Sequence, residues 1–234
     1  MTEIADAFWI ALRLIGTLDS QLAEIVGLSL TVSLSAVLLS AVIGLPLGAA
    51  LAMLRFPGRK IVLVGVNALM GLPPVVVGLM VYLMLSRSGP LGVFGLLYTP
   101  TAMIIAQVLL VTPIIAALTR QVIEDLWREY AEQLTSLGAS PVRAIPTLVM
   151  DGRFSLLTAV LAGFGRATAE VGAVMIVGGN IDHVTRVMTT AIALEVSKGD
   201  LGLALGLGMV LLGLSVAIGA VAQLVKDRRE RRAW

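Results

Sequence analysis

Five stretches of this chain, at about 26–54, 61–85, 99–119, 154–178 and 201–225, are long and apolar enough to cross a bilayer, which needs roughly 20 mostly apolar residues per helix. No other feature restricts the fold as tightly. In lipid every backbone polar group must be satisfied within its own segment or in a closed barrel, so stretches of this length are helices. The composition agrees, with 58% of the 234 residues hydrophobic and 14% charged, against about 25% charged in soluble domains. The expected fold class is an all-α polytopic membrane protein whose membrane domain covers 21–225.

The N-terminal segment, 1–20, has a different pattern. Glu3, Asp6, Arg13 and Thr17 fall on one helical stripe and Ile4, Phe8, Leu12 and Ile15 on the opposite one, with Trp9 near the boundary. This pattern predicts an amphipathic helix lying in the membrane interface; a short helix packed on a span is the alternative. The basic n-region of a cleavable signal peptide is missing.

Basic residues set the expected orientation. Arg55, Arg59 and Lys60 follow the first span, Arg120, Arg128, Arg143 and Arg153 the third, and Lys226, Arg228, Arg229, Arg231 and Arg232 the fifth. The other side holds only Arg13, Arg87, Arg186 and Lys198. The loop 120–153 and the basic tail 226–234 are therefore expected in the cytoplasm, and the N-terminus and the loop 179–200 outside, in a plasma (inner) membrane. Beside a span, a basic tail reads as a contact to anionic lipid rather than a nucleic-acid arm.

The cytoplasmic loop is patterned. Val122, Ile123, Leu126, Tyr130, Leu134 and Leu137 recur at helical spacing. Gly138 then supplies a C-cap, and Ser140-Pro141 an N-cap and first turn for a second short helix that Pro146 is expected to limit. On physical grounds the loop is either a solvated connector or a docking element for a cytoplasmic partner.

Its central string, EQLTSLGASPVRAI (132–145), resembles the coupling loop of ATP-binding-cassette (ABC) importer permeases. Glu132 and Gly138 match that motif's spacing, while Gln133 and Leu134 replace two alanines. The resemblance implies that Glu132, Gly138, Ala139, Ser140, Pro141, Val142 and Arg143 form the segment that couples to a separate ATPase. The chain has no G-x-x-x-x-G-K-[ST] phosphate loop, so ATP and Mg are expected on that partner, with no cofactor here.

The fourth span carries charge. Arg166 and Glu170 stand at i and i+4 among Gly163, Gly165, Ala167, Ala169 and Gly172, a spacing that allows pairing and a set of small residues that allows close helix approach. Charged groups in a span cost several kcal/mol, so the face is either an internal ion pair that locks packing or a border of the translocation path. Thr168 and Thr112 offer hydroxyls there. Pro73-Pro74 in span two and Thr112-Pro113 in span three are expected helix breaks.

The string AGFGRATAEVGAVMIVGGNI (162–181) resembles permeases for tetrahedral oxyanions, most of all the tungstate branch, and GLPPVVVGLMVYLMLSRSGPLG (71–92) agrees with it. The resemblance implies the fold of type I ABC importer permeases, a homodimer, two ATPase subunits, an external binding protein, and tungstate as substrate, with molybdate or sulfate as alternatives. A self-sufficient secondary anion carrier is the competing class. An enzyme is not expected: there is no cysteine, and the one histidine, His183, lies in the outer loop. That leaves no nucleophile–base pair to assign and no metal cluster.

Overall fold

The computed structural model describes residues 2–17 and 19–230. Ten α-helices follow one another: α1 (Thr2–Gly16), α2 (Ser20–Met53), α3 (Arg59–Met70), α4 (Pro74–Leu85), α5 (Pro100–Ser136), α6 (Pro141–Asp151), α7 (Arg153–Thr168), α8 (Gly172–Gly178), α9 (Met188–Lys198) and α10 (Leu201–Glu230), with a 3-10 turn at Gly92–Phe94. Among the described residues there is no strand. The side chains of Glu3 and Ile4, and those of the basic tail, lie outside the described residues.

The helices α2, α5 and α10 are each long and apolar enough to cross a membrane, with mean hydropathy of 2.2 to 2.4. The count rises to five if the bent pairs α3–α4 and α6–α7 are each taken as one span.

Contacts group the chain into two units. The first takes the chain up to Ala36, Pro73–Gln107 and Gly165–Ile218. Its core joins Leu22 and Ile25 of α2, Met188 and Ala191 of α9, and Leu203 and Leu207 of α10. The small face of α1, Ala7 and Ala11, is buried. It packs on α10, where a Cβ at Gly206 would stand 3.8 Å from Ala11 Cβ. Phe8, Trp9 and Leu12 stay exposed.

The second unit takes Val37–Leu72, Val108–Phe164 and the chain from Gly219. Ala49, Met53, Ile123, Leu126, Ala144 and Leu148 form one cluster, which seats α6 on α2 and α5. A Cβ at Gly48 would lie 2.4 Å from the Ala116 carbonyl oxygen, so α2 and α5 approach backbone to backbone, as small residues permit.

Several expected boundaries move, each for a local reason. Pro113 does not break span three. It lies inside α5, a single 37-residue helix, where the neighbouring Val111, Ile115 and Ala116 are buried and their packing outweighs one lost hydrogen bond. Pro146 likewise sits inside α6, held by the burial of Ala144 and Leu148 on either side of it. Span two does break: Pro73 is extended at φ −61, ψ 125 and Pro74 is the first helical residue of α4, the position where a missing N–H is harmless. Span four is not continuous, because α7 ends at Thr168 and α8 begins at Gly172. The outer loop 179–200 holds α9, and α10 continues past 225.

Candidate functional site

The gap between α7 and α8 interrupts an apolar segment at its charged residues, so side chains must satisfy the backbone groups that a helix would otherwise pair. Glu170 meets much of this need. One carboxylate oxygen accepts a bond from the Ala173 N–H at 3.0 Å, in the first turn of α8. The other accepts one from Arg166 Nη1 in the last turn of α7. The Glu170 carbonyl accepts the Thr189 hydroxyl of α9 at 2.8 Å. On the α7 side, Gln107 Nε2 of α5 donates to the Ala167 carbonyl at 3.2 Å, and the Thr168 hydroxyl to the Gly165 carbonyl at 3.1 Å.

The pair is asymmetric, since the Glu170 side chain is 3% exposed and that of Arg166 34%. The carboxylate is enclosed by the protein and the arginine only in part. Arg166, Thr168 and Glu170 thus meet at one place, as their spacing implied, but they hold a helix break rather than one face of a continuous helix.

The second break lies against the first. A Cβ at Gly172 would be 2.8 Å from Val75 Cγ2, and one at Gly78 would be 2.7 Å from Ala173 Cα. The first turns of α4, after Pro73 and Pro74, and of α8 therefore pack through glycines. Thr112 is not part of this cluster. It lies in the second unit, where its hydroxyl is buried without a partner.

Polar residues that the sequence reading left out complete the junction. Ser29 and Ser33 of α2, with Gln107 and Thr189, line a cavity of ≈ 10 Å³ beside Glu170. Ser29 Oγ accepts the Met188 N–H at 2.7 Å. The available signal was the i, i+4 serines and the lone glutamine inside otherwise apolar spans.

The Gly-Gly-Asn string closes α8. Gly179 caps it at φ 71, Asn180 follows at φ 51, and the Thr185 hydroxyl donates to the Gly178 carbonyl at 2.6 Å. Farther along this loop, His183 Nδ1 lies 2.8 Å from a Glu24 carboxylate oxygen. That hydrogen bond and charge, with a smaller contribution from Asp182, raise the His183 pKa above its ordinary 6.5, against a small opposing effect of Arg186.

The second unit carries the loop predicted to couple. Gly138, at φ +80, ends α5 in a Schellman motif: Ala139 N–H bonds the Leu134 carbonyl and Gly138 N–H that of Thr135, both at 2.9 Å. Ser140 precedes α6 as its N-cap and Pro141 occupies the first turn. Glu132, Pro141, Val142 and Arg143 are exposed and Ala139 is half-buried. α6 turns Ala144 and Leu148 inward, at 1% exposure each, and leaves Leu137, Val142 and Met150 at 83%, 56% and 66%. At the root of this arm Glu124 binds both Arg120 and Arg59, and Arg59 Nε donates to the Leu51 carbonyl.

The family described as "Binding-protein-dependent transport system inner membrane component" matches residues 44–231. A tungstate uptake system permease protein, TupB, of Peptoclostridium acidaminophilum is 43% identical over 227 residues, covering 97% of this chain and all of that protein. A probable anion ABC transporter permease of Haloferax volcanii is 39% identical, with 90% and 93% covered. A sulfate transport system permease, CysW, of Synechocystis is more distant, at 28% with 90% and 79% covered. With its all-helical fold and apolar spans, this chain belongs to the binding-protein-dependent inner membrane component family and is a multi-pass permease subunit of an ABC importer, with the type I importer permease fold.

Proposed function

We propose that this permease passes a tetrahedral oxyanion, tungstate in the first place, delivered by an external binding protein and driven by a separate ATPase that docks on α6. The substrate reading is supported by the name of the relative at 43% identity over nearly the full length; molybdate and sulfate, close in shape and charge, are the alternatives. A dianion crossing a region of low dielectric needs donors, but a strongly cationic path would hold it instead of releasing it. The pairing of Arg166 with Glu170 leaves such a path nearly neutral, and on this reading the pair is structural.

The observation that carries the coupling reading is α6 itself. One side is fixed by Ala144 and Leu148, and Val142 and Met150 are left exposed, in a loop expected to face the cytoplasm. Two copies of the permease, each with one ATPase subunit, make the assembly. ATP and Mg sit on the ATPase, and this chain carries no cofactor and contacts no nucleic acid. The N-terminus and the 179–200 segment face outward, α1 lies at the outer interface, and the basic tail meets anionic lipid in the cytoplasm.

The test is oxyanion-stimulated ATP hydrolysis by the reconstituted complex with tungstate-, molybdate- or sulfate-binding proteins. Tungstate should stimulate most. Val142→Asp together with Met150→Asp should abolish stimulation while the permease stays folded, because both side chains are exposed. Coupled turnover that survives the double substitution would remove α6 as the docking element.

A further inference from the structure

The cavity beside Glu170 has the wrong chemistry for an anion. Ser29 Oγ donates to the Ile25 carbonyl at 2.6 Å and accepts the Met188 N–H, so its proton is committed. The hydroxyl protons of Thr168 and Thr189 are committed to the Gly165 and Glu170 carbonyls. Glu170 offers only acceptor oxygens. Gln107 is 3% exposed and spends its amide N–H on the Ala167 carbonyl, which turns Oε1 out as a buried acceptor with no partner. Among the side chains that line the cavity, the Ser33 hydroxyl, 4% exposed, is the donor not committed elsewhere. What fits is small and gives protons more than it takes them.

Size narrows the choice further. A cavity of ≈ 10 Å³ has room for about one water molecule, which needs two to four polar partners to stay. We infer that this cavity is a binding site for a single resident water, donating to Gln107 Oε1 and accepting from the Ser33 hydroxyl, that ties α2 and α5 to the α7–α8 break. The break then rests on the Glu170 carboxylate, the Gln107 amide, the Thr189 hydroxyl and the water. A buried unpaired amide oxygen costs free energy comparable to a lost hydrogen bond, and the water removes that cost without adding charge next to the Arg166–Glu170 pair. The inference does not depend on which anion is transported. A sodium ion shares the preference for oxygen acceptors and is the alternative occupant that the experiment separates.

The experiment uses the assembled importer in lipid nanodiscs, imaged by cryo-electron microscopy in sodium and in choline buffers, with melting temperatures measured in both. One ordered density within hydrogen-bond reach of Gln107 Oε1 in both buffers, with equal melting temperatures, is the expected result. Density or stabilisation that appears only with sodium would replace the water by a cation and overturn the inference. Ser33→Val gives an independent reading, because it fills the cavity and removes the donor. If water is resident, the melting temperature falls by several degrees, and most of that fall disappears in a Gln107→Leu background, where no acceptor is left to satisfy. A melting temperature unchanged or raised by Ser33→Val alone would mean that the cavity is dry.

Discussion

The ion pair at the helix break allows a prediction in which the order of the effects matters more than their size. Arg166→Ala leaves the Glu170 carboxylate, 3% exposed, with the Ala173 N–H as its hydrogen-bond partner. Removing one partner of a buried pair costs about 3–5 kcal/mol, because a charge is stranded. Glu170→Gln does less damage. The amide oxygen can still accept from Ala173 or from Arg166, which at 34% exposed is the less enclosed partner. What is lost is one hydrogen bond to a charged group, about 1.5–3 kcal/mol. At about 2–4 °C per kcal/mol for a chain of this size, the melting temperature should drop by about 10 °C for Arg166→Ala and about half as much for Glu170→Gln. The double variant Arg166→Ala/Glu170→Gln removes the stranded charge and should melt above Arg166→Ala alone, a coupling that a double-mutant cycle reads directly. Intrinsic tryptophan fluorescence of the purified permease complex, followed on heating, gives all four values. If Glu170→Gln proved as damaging as Arg166→Ala, or the double variant were worse than both, the carboxylate would not be the costly partner and the reasoning would fail.

Two further outcomes follow from the loop geometries. At Gly138 no atom lies within 4 Å of an added Cβ, so Gly138→Ala carries only the left-handed backbone penalty of about 1–2 kcal/mol, whereas Leu148→Ala empties a buried site at about 2–5 kcal/mol. Substrate-stimulated ATP hydrolysis should therefore largely survive the glycine change and be lost with the leucine change; the reverse order would show that turn conformation, not the seating of α6, controls coupling. The raised His183 pKa makes a pH prediction. Protonated His183 is favoured by Glu24 in the fold, so its stabilisation is fully present below the ordinary value of 6.5 and is lost as pH rises through the raised folded value. The melting temperature should fall across that window in the wild type and run flatter in Glu24→Gln; equal slopes would mean that the contact contributes nothing to stability.

Much of the architecture could be read along the chain because lipid imposes a simple rule. A stretch such as 201–225 has to be helical, because its backbone groups must pair within the segment. The same holds for local backbone chemistry: Gly138 ends α5, Pro74 opens α4, and Gly179-Asn180 terminates α8, each a choice made by a residue and its immediate neighbours. The short helix after Gly138 was also legible, since Ser140-Pro141 marks its start.

The failures share one cause. Pro113 and Pro146 were expected to stop helices, as proline does in an isolated segment. Burial of Ile115 and Ala116 in one case, and of Ala144 and Leu148 in the other, outweighs a single missing hydrogen bond. The break at 169–171 was hidden for the opposite reason. Small apolar residues flank it and no proline marks it, yet Glu170, Gln107 and Thr189 satisfy the backbone there so fully that the helix has no need to continue.

The sequence by itself therefore determined most of the helices and the pairing of Arg166 with Glu170, because these depend on hydropathy and on spacing within one segment. Only the tertiary structure decided that the pair spans a break, that Gln107, Ser29, Ser33 and Thr189 converge on it, and that α4 and α8 meet through Gly78 and Gly172. Those arrangements join residues up to 160 positions apart, such as Ser29 and Met188, whose sequence separation is 159. Whether a buried polar group is satisfied depends on what packs beside it, and one chain read from end to end does not carry that.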